Sequence, residues 1–335
     1  MINVAIVGAS GYTGLELIKM VILHPEFNLT YLANSTGNTT ADTLHPMLKD
    51  VCDLEVSKMD VNDLASKAEL AFLAVPHKTA MEVVKPLLKL GTKIVDLSAD
   101  YRLEQQRYEK NYVPHTDPDN LKNAVYGLPE LHREALKECQ LVANPGCYPT
   151  SSILGVLPFL DYINEGSPIF IDAKSGVSGA GKKLVETTHY GRINENMFAY
   201  APITHRHAAE IEEKLTQKSD KTFEVMFVPH IVPLMRGMIA SVYVSLASDI
   251  DAVTILEAYY KDEPFVRVRT QPVEMKHVAG TNFCDIFVAQ KGRQLFISSS
   301  IDNLLKGASS AAIVNANLMC GLAEEMGVPK IAYAP

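Results

Sequence analysis

The stretch that most restricts the fold is "VAIVGASGYTG", Val4 to Gly14. It joins an apolar run, Ile2 to Val7, to a helical pattern through three glycines, Gly8, Gly11 and Gly14. A buried strand, a glycine turn and a helix, in that order, open a βαβ unit. Glycine lets the chain turn tightly and lets backbone amides approach a pyrophosphate, and the helix start favours negative charge. The spacing is G-x-x-G-x-x-G rather than G-x-G-x-x-G, so the strand-loop-helix context carries the reading.

The chain beyond Gly14 keeps the same alternation. Residues 15–25 place Leu15, Ile18, Val21 and Ile22 at helical spacing and stop at Pro25. Strand-like runs come at 28–34, 68–76, 92–100 and 139–146, with a helix predicted over 78–90 that ends at Gly91. Strands alternating with helices predict a doubly wound parallel sheet of Rossmann type. A helix is predicted over 149–160, and beyond it the texture changes. "PIFIDAKSG", "KTFEVMFVPH", "GMIASVYVSLA", "PFVRVRT", "CDIFVAQ" and "RQLFISSS" read as strands, several alternating apolar with polar residues. They predict a second α+β domain with a mostly antiparallel sheet. The segment 302–325 is rich in small residues and reads as a buried helix returning to the first domain. The expected division is 1–146 plus 303–335 for dinucleotide binding, and 147–302 for catalysis and oligomerisation.

A chain of 335 residues accommodates two such domains, and its 47% hydrophobic and 21% charged residues are ordinary for a globular protein. The net charge of −8, with no block of like charges, argues against nucleic acid as a partner. No run of 18 apolar residues predicts a membrane span, and "MINVAIVGAS" lacks the basic start of a secretory signal. Five cysteines without a CxxC pair fit a reducing cytoplasm, and ten histidines without HExxH argue against a metal site.

The end of the second strand bears on the cofactor. An NAD site usually carries a carboxylate there for the ribose hydroxyls. Here stand Asn34, Ser35 and Thr36, which would not repel a 2′-phosphate, so NADP is expected. No arginine is adjacent, and Lys58 or a more distant residue is left to hold that phosphate.

Cys147 lies in "VANPGCYPTSSILGVLPF", behind Pro145-Gly146 and at the start of a helical run. A thiol at a helix N-terminus meets the positive end of the dipole, which favours thiolate. It also falls at the carboxyl end of an expected sheet strand, where open α/β folds place ligands. Cys52, Cys139, Cys284 and Cys320 lack this coincidence and read as structural. A nucleophilic thiol needs an acid–base partner. "THRHAAE" offers His205 and His207, and Arg206 between them, like Arg236 in "LMRG", offers a bidentate grip on an anionic substrate. "KSGVSGAGKK", 174–183, is a second glycine-rich stretch that either lines the pocket or is a plain loop.

Together "GASGYTG", "LSADYR", "YGLPE", "NPGCYPT", "SGVSGAG", "HRH" and "DNLLKGA" resemble the N-acetyl-γ-glutamyl-phosphate reductases, in family order from Gly8 to Ala308. That group is similar to the aspartate-semialdehyde dehydrogenases. The resemblance implies reduction of an acyl phosphate by NADPH in arginine biosynthesis, in a homo-oligomer. It implies Cys147 as the nucleophile and His207, or else His205, as the acid–base group. It implies Gly8, Ser10, Gly11, Tyr12, Thr13 and Gly14 as the dinucleotide loop, and Asn303 near the nicotinamide. The chain departs from the family pattern at Ala209-Glu210, where Pro-Glu is common, and at Met235 before Arg236-Gly237, where Pro is common. Other acyl-phosphate reductases, of aspartate-semialdehyde or aminoadipate type, are the neighbouring enzyme readings. A dinucleotide-sensing regulator is the non-enzyme reading, and it has no use for Cys147 beside the histidines.

Overall fold

The structure, a computed structural model, describes residues 1–333. The chain divides into two compact units, one of Met1–Pro145 with Ala308–Val328, the other of Gly146–Gly307 with the described residues from Pro329 onward. Asn303, expected with the dinucleotide domain, lies in the second unit, because its side chain is bonded to Gly237 and Ser178 there.

The first unit is built on an eight-stranded sheet. Its strands are β1 (Ile2–Val7), β2 (Phe27–Asn34), β3 (Thr39–Thr40), β4 (Glu55–Lys58), β5 (Leu70–Leu73), β6 (Lys93–Asp96), β7 (Val125–Tyr126) and β8 (Leu141–Ala143). The order is β3-β4-β2-β1-β5-β6-β8-β7, and every pairing except β3 with β4 is parallel. Strands buried on both faces read as unbroken apolar runs, and all four residues of β5 are buried. The order runs outward in both directions from β1, so the switch point falls at β1, whose carboxyl end carries the glycine loop. Helix Tyr12–Leu23 buries Leu17, Ile18 and Val21. Helix Ala80–Lys89 buries Met81, Val84 and Leu87, and Gly91 follows it in the left-handed region at φ +86°. β4 and the helix Val61–Lys67 carry no readable pattern in the sequence, because one is a four-residue strand and the other a seven-residue helix.

The returning helix is shorter than expected, Ser309–Met319. Residues before it are drawn into a turn, where Asp302 Oδ1 accepts the amides of Leu304 and Leu305. Every residue of this helix is buried. Two of its polar side chains are tied into the first unit: Asn315 Nδ2 donates to Gly127 O and Asn144 Oδ1, and Asn317 Oδ1 bonds His24 Nε2.

The second unit carries a seven-stranded sheet of β9 (Ile169–Gly176), β10 (Phe198–Ala199), β11 (Val225–Val232), β12 (Met238–Ser245), β13 (Val266–Val268), β14 (Cys284–Lys291) and β15 (Gln294–Ile301). The order is β10-β11-β9-β12-β15-β14-β13. The central pairings are antiparallel, while β9 with β11 and β13 with β14 are parallel. β12 alternates, with Met238, Ala240, Val242 and Val244 buried. Helix Cys147–Val156 packs on β12 and β15. It is close enough for Ser151 Oγ to reach Ser299 O at 3.1 Å, and a Cβ on Gly155 would stand 3.2 Å from Ile297 Cγ2. The helix starts at Cys147 rather than 149, and residues 157–162 tighten to a 3₁₀ helix. Among the described residues no helix is long and apolar enough to cross a membrane.

Candidate active site

In the first unit two glycines of the loop, Gly8 and Gly14, have no room for a side chain. Gly8 has φ +92°, and a Cβ on it would fall 2.1 Å from Ala74 O. A Cβ on Gly14 would fall 2.3 Å from Gly8 O. The loop is pinned from three sides. The amides of Gly8 and Ala9 donate to Ala33 O, His45 Nε2 donates to Ala9 O at 2.7 Å, and Ser309 Oγ donates to Thr13 O at 3.1 Å. A carbonyl can only accept, so His45 carries its proton on Nε2. Gly11 is the N-cap of helix Tyr12–Leu23 and offers no side chain to the first turn. The amides there are left for an anionic group. Backbone crowding at Gly8 and Gly14 together with this uncapped start fits the pyrophosphate of a nicotinamide dinucleotide.

At the end of β2, Asn34 is consumed by its own turn. Its Oδ1 accepts the amides of Thr36 and Gly37 and the Thr36 hydroxyl. That turn leaves Ser35 and Thr36 exposed. Lys58, at the end of β4, pairs with Asn34 across the sheet and is also exposed.

In the second unit Cys147 is the first residue of its helix, half-buried, with Gly146 as N-cap. Gly307 lies against it, since a Cβ there would come 2.7 Å from Cys147 Cβ and 2.6 Å from Asn303 O. Asn303 ties two segments of this unit together. Its Oδ1 accepts the Gly237 amide and its Nδ2 donates to Ser178 Oγ, both at 2.9 Å. Through Ser178 it fastens the SGVSGAG stretch, which ends β9 and continues as a short 3₁₀ turn.

The two histidines are brought together, and their surroundings differ. Their ring centroids are 4.8 Å apart, and both rings meet Tyr148, the residue after Cys147, at 5.7 and 5.8 Å. His205 Nδ1 accepts the amide of His207, the first residue of helix His207–Gln217. The ring therefore serves as the cap that this helix start needs. Burial, with Arg206 adding to it, pushes His205 down to about 4, so it is neutral near pH 7. Tyr200 donates to the Tyr148 hydroxyl at 3.0 Å, and Tyr148 donates to His230 O. Burial first, and the neighbouring Cys147 as well, hold both phenols far above the ordinary tyrosine range.

The arginines differ. Arg206 is exposed beside the histidines. Arg236 is half-buried and already engaged, with Nη1 3.4 Å from Asp302 Oδ2 and its guanidinium 5.7 Å from the Tyr333 ring centroid. Asp302 is fully buried and also accepts the amide of Gly280. Tyr148, Tyr200, Ser178 and His45 were not singled out in the sequence. Only Tyr148 had a local signal, its place next to the thiol.

A glycine-loop dinucleotide unit joined to a unit with a helix-start thiol and paired histidines defines an oxidoreductase of the semialdehyde dehydrogenase class. Residues 3–139 match the family model described as semialdehyde dehydrogenase, NAD binding domain, and residues 147–303 match semialdehyde dehydrogenase, dimerisation domain. The chain is 59% identical to the N-acetyl-γ-glutamyl-phosphate reductase of Sulfurimonas denitrificans, covering 100% of this chain and 99% of that one. It is 56% identical to that of a Sulfurovum species over the full length of both. The chain belongs to the N-acetyl-γ-glutamyl-phosphate reductase family. Its fold is that of aspartate semialdehyde dehydrogenase II of Vibrio cholerae, solved as a complex with ASA. The TM-score is 0.73 at 16% identity, over 96% of this chain and 98% of that one. The Candida albicans aspartate semialdehyde dehydrogenase with NADP gives a TM-score of 0.72 at 11% identity, again over 96% and 98%.

Proposed function

We propose that the protein reduces N-acetyl-γ-glutamyl phosphate to N-acetylglutamate semialdehyde and phosphate, with NADPH as the reductant, in arginine biosynthesis. The observation that carries the reading is the grouping of a helix-start thiol, Cys147, with two histidines across the ring of Tyr148.

Cys147 Sγ attacks the acyl carbon, the C–O bond to phosphate breaks, and a thioester with inorganic phosphate results. Oxyanion donors at this helix start are few. Gly146 N–H is taken by Glu210 and Pro149 has none, so the amides of Cys147 and Tyr148 are the donors of the first turn. A reduced nicotinamide, when bound, supplies the hydride that turns the thioester into a thiohemiacetal. His207 gives a proton to the developing oxygen and takes it back as the C–S bond breaks and the aldehyde leaves. His205 caps and orients rather than transferring the proton, because its Nδ1 is occupied and its basicity is suppressed. Arg206 receives the substrate carboxylate. Arg236, held by Asp302, presents a fixed positive charge to the same anion.

Gly8, Ser10, Gly11, Tyr12, Thr13 and Gly14 hold the pyrophosphate. The preference for NADP is supported by exposed, uncharged Ser35 and Thr36 at the end of β2 and by Lys58 on the paired strand. Asn303 acts by fastening Ser178 and Gly237. The match to a dimerisation-domain model supports a homo-oligomer, and five free cysteines support a reducing cytoplasm.

The test is phosphate-dependent reduction of NADP with N-acetylglutamate semialdehyde against aspartate semialdehyde. An acetylated amine is neutral and needs no carboxylate, whereas a free ammonium would be desolvated without a partner, at a cost of several kcal/mol, roughly a thousandfold. Faster turnover of aspartate semialdehyde would move the protein to the aspartate branch.

A further inference from the structure

Residues 329–333 belong to the second unit and lie along one short segment of it. The amide of Asn282 donates to Pro329 O and the amide of Tyr333 donates to Ala279 O, both at 2.9 Å, so the stretch is fastened at its two ends. Between Ala279 and Asn282 comes Gly280, in the left-handed region at φ +88°. The Tyr333 ring covers it so closely that a Cβ there would fall 2.8 Å from Cγ and Cδ1 of the ring. Only glycine accepts both that backbone conformation and that approach. The Gly280 amide donates to Asp302 Oδ2 at 2.7 Å. The same oxygen is 3.4 Å from Arg236 Nη1, and the Arg236 guanidinium lies over the Tyr333 ring, 5.7 Å from its centroid. The contacts close a circuit, from Tyr333 through Gly280, Asp302 and Arg236 back to Tyr333.

We propose that Tyr333 is a positioning residue that sets the plane of the Arg236 guanidinium and so prepares it for the substrate carboxylate. This rests on the reading of Arg236 as a positive charge presented to that anion. Asp302 is fully buried, and its other oxygen accepts the amides of Leu304 and Leu305, so it is a fixed point. A contact of 3.4 Å to that point anchors the arginine but does not fix its plane, because the bond is long and the stem is flexible. A flat aromatic face supplies the missing restraint, since a guanidinium stacks on it and is drawn by the ring quadrupole. Tyr333 is 57% exposed, so core packing does not account for its seat against Gly280. Ordering the arginine before the substrate arrives lowers the cost of binding. The carboxylate is not the reacting group, so the effect falls on substrate affinity rather than on the chemical step. The contact uses the ring face and not the hydroxyl.

The experiment measures KM and kcat for phosphate-dependent oxidation of N-acetylglutamate semialdehyde and of its methyl ester, which lacks the carboxylate. Wild type is compared with Tyr333→Phe, Tyr333→Leu, Arg236→Gln and the variant that combines Tyr333→Leu with Arg236→Gln. Tyr333→Leu keeps an apolar side chain over Gly280 but no aromatic face. KM for the acid should rise about 3- to 10-fold in it, with kcat within about twofold of wild type. Tyr333→Phe keeps the face and should stay within about twofold of wild type in both constants. The ester offers no charge to the arginine, so its KM should be the same in wild type and Tyr333→Leu. Adding Tyr333→Leu to Arg236→Gln should change KM for the acid by less than about twofold, because the two act as one unit. Wild-type KM in Tyr333→Leu, a Phe variant as impaired as the Leu variant, or an equal rise for acid and ester overturns the proposal. Arg236→Gln, which keeps a donor for Asp302, separates the two readings. An unchanged KM for the acid there removes Arg236 from the anion site and the role of Tyr333 with it, whereas a raised KM there beside a wild-type-like Tyr333→Leu removes only the role given to Tyr333.

Discussion

His205 and His207 are two residues apart and identical in chemistry, yet the proposed mechanism gives them different duties, and His205→Asn separates them. Asparagine places its Oδ1 close to where the imidazole Nδ1 stood, so the bond accepted from the His207 amide is kept. What disappears is a titrating group. Burial pushes His205 from an ordinary 6.5 to about 4, so the folded protein resists the proton that the unfolded chain takes up. The unfolded state therefore binds more protons than the native state between pH 6.5 and about 4, and wild type loses stability as pH falls through that window. At pH 5 the linkage integral comes to about 2 kcal/mol, and partial solvent contact reduces this to about 1 kcal/mol.

His205→Asn should therefore be less sensitive to acid than wild type. Urea unfolding at pH 7 and pH 5 measures it, and the stability difference between the proteins should shift in favour of the variant by about 1–2 kcal/mol on going to pH 5. In the same preparation kcat near pH 7 should fall by less than about tenfold, whereas His207→Asn should lose roughly 100- to 10,000-fold, the usual worth of a general acid–base group. Parallel stability curves at the two pH values would refute the suppressed basicity of His205. A reversed order of activities would refute the division of labour.

Cys147→Ser should keep dinucleotide binding and lose activity by orders of magnitude, since a hydroxyl is a poor nucleophile without a strong base. Iodoacetamide should inactivate through Cys147 ahead of Cys139 and Cys320, because burial pushes Cys139 up to about 11 and also raises Cys320. Ser35→Asp should set a carboxylate against the 2′-phosphate and move the kcat/KM ratio of NADPH to NADH toward NADH. A wild-type preference for NADH would defeat the reading of that strand end. Arg206→Ala should raise KM strongly with little effect on melting. Arg236→Ala should also cost about 1–3 kcal/mol of stability, because it leaves Asp302 buried without its cation, and an unchanged melting temperature would show that this pair does not matter.

Much of the first unit was legible because its signals are local. The run Ile2–Val7 is apolar since β1 is covered on both faces, and the glycines come after it because Ala74 O and Gly8 O leave no space for a Cβ. β4 and the helix after it escaped notice because a four-residue strand with one buried position has too little pattern to read. The seven-stranded sheet was readable as strands, while its parallel pairing of β9 with β11 was not, since register and direction arise from contacts far apart in sequence. The returning helix was placed too early because Asp302 diverts the chain into a turn, and small-residue composition carries no trace of that.

The site divides along the same line. Cys147 was legible because turn, helix start and strand end coincide within a few residues. The histidines were legible as a pair, but not in their roles: which ring is occupied depends on the His207 amide, and which is desolvated depends on Tyr148, Tyr200 and Phe227, whose rings pack around His205. Asn303 and Arg236 look in sequence like ligands, a polar and a charged residue in glycine-rich surroundings. In the fold each also bonds the protein itself, Asn303 to Ser178 and Gly237, Arg236 to Asp302. A thiol needs only a helix start to become a stronger nucleophile, and that much is written locally. Delivering it to an acyl carbon at the right distance from a proton donor needs partners drawn from other strands and loops. Those partners have no spacing rule, so they emerge only when each buried polar atom is traced to the group it satisfies.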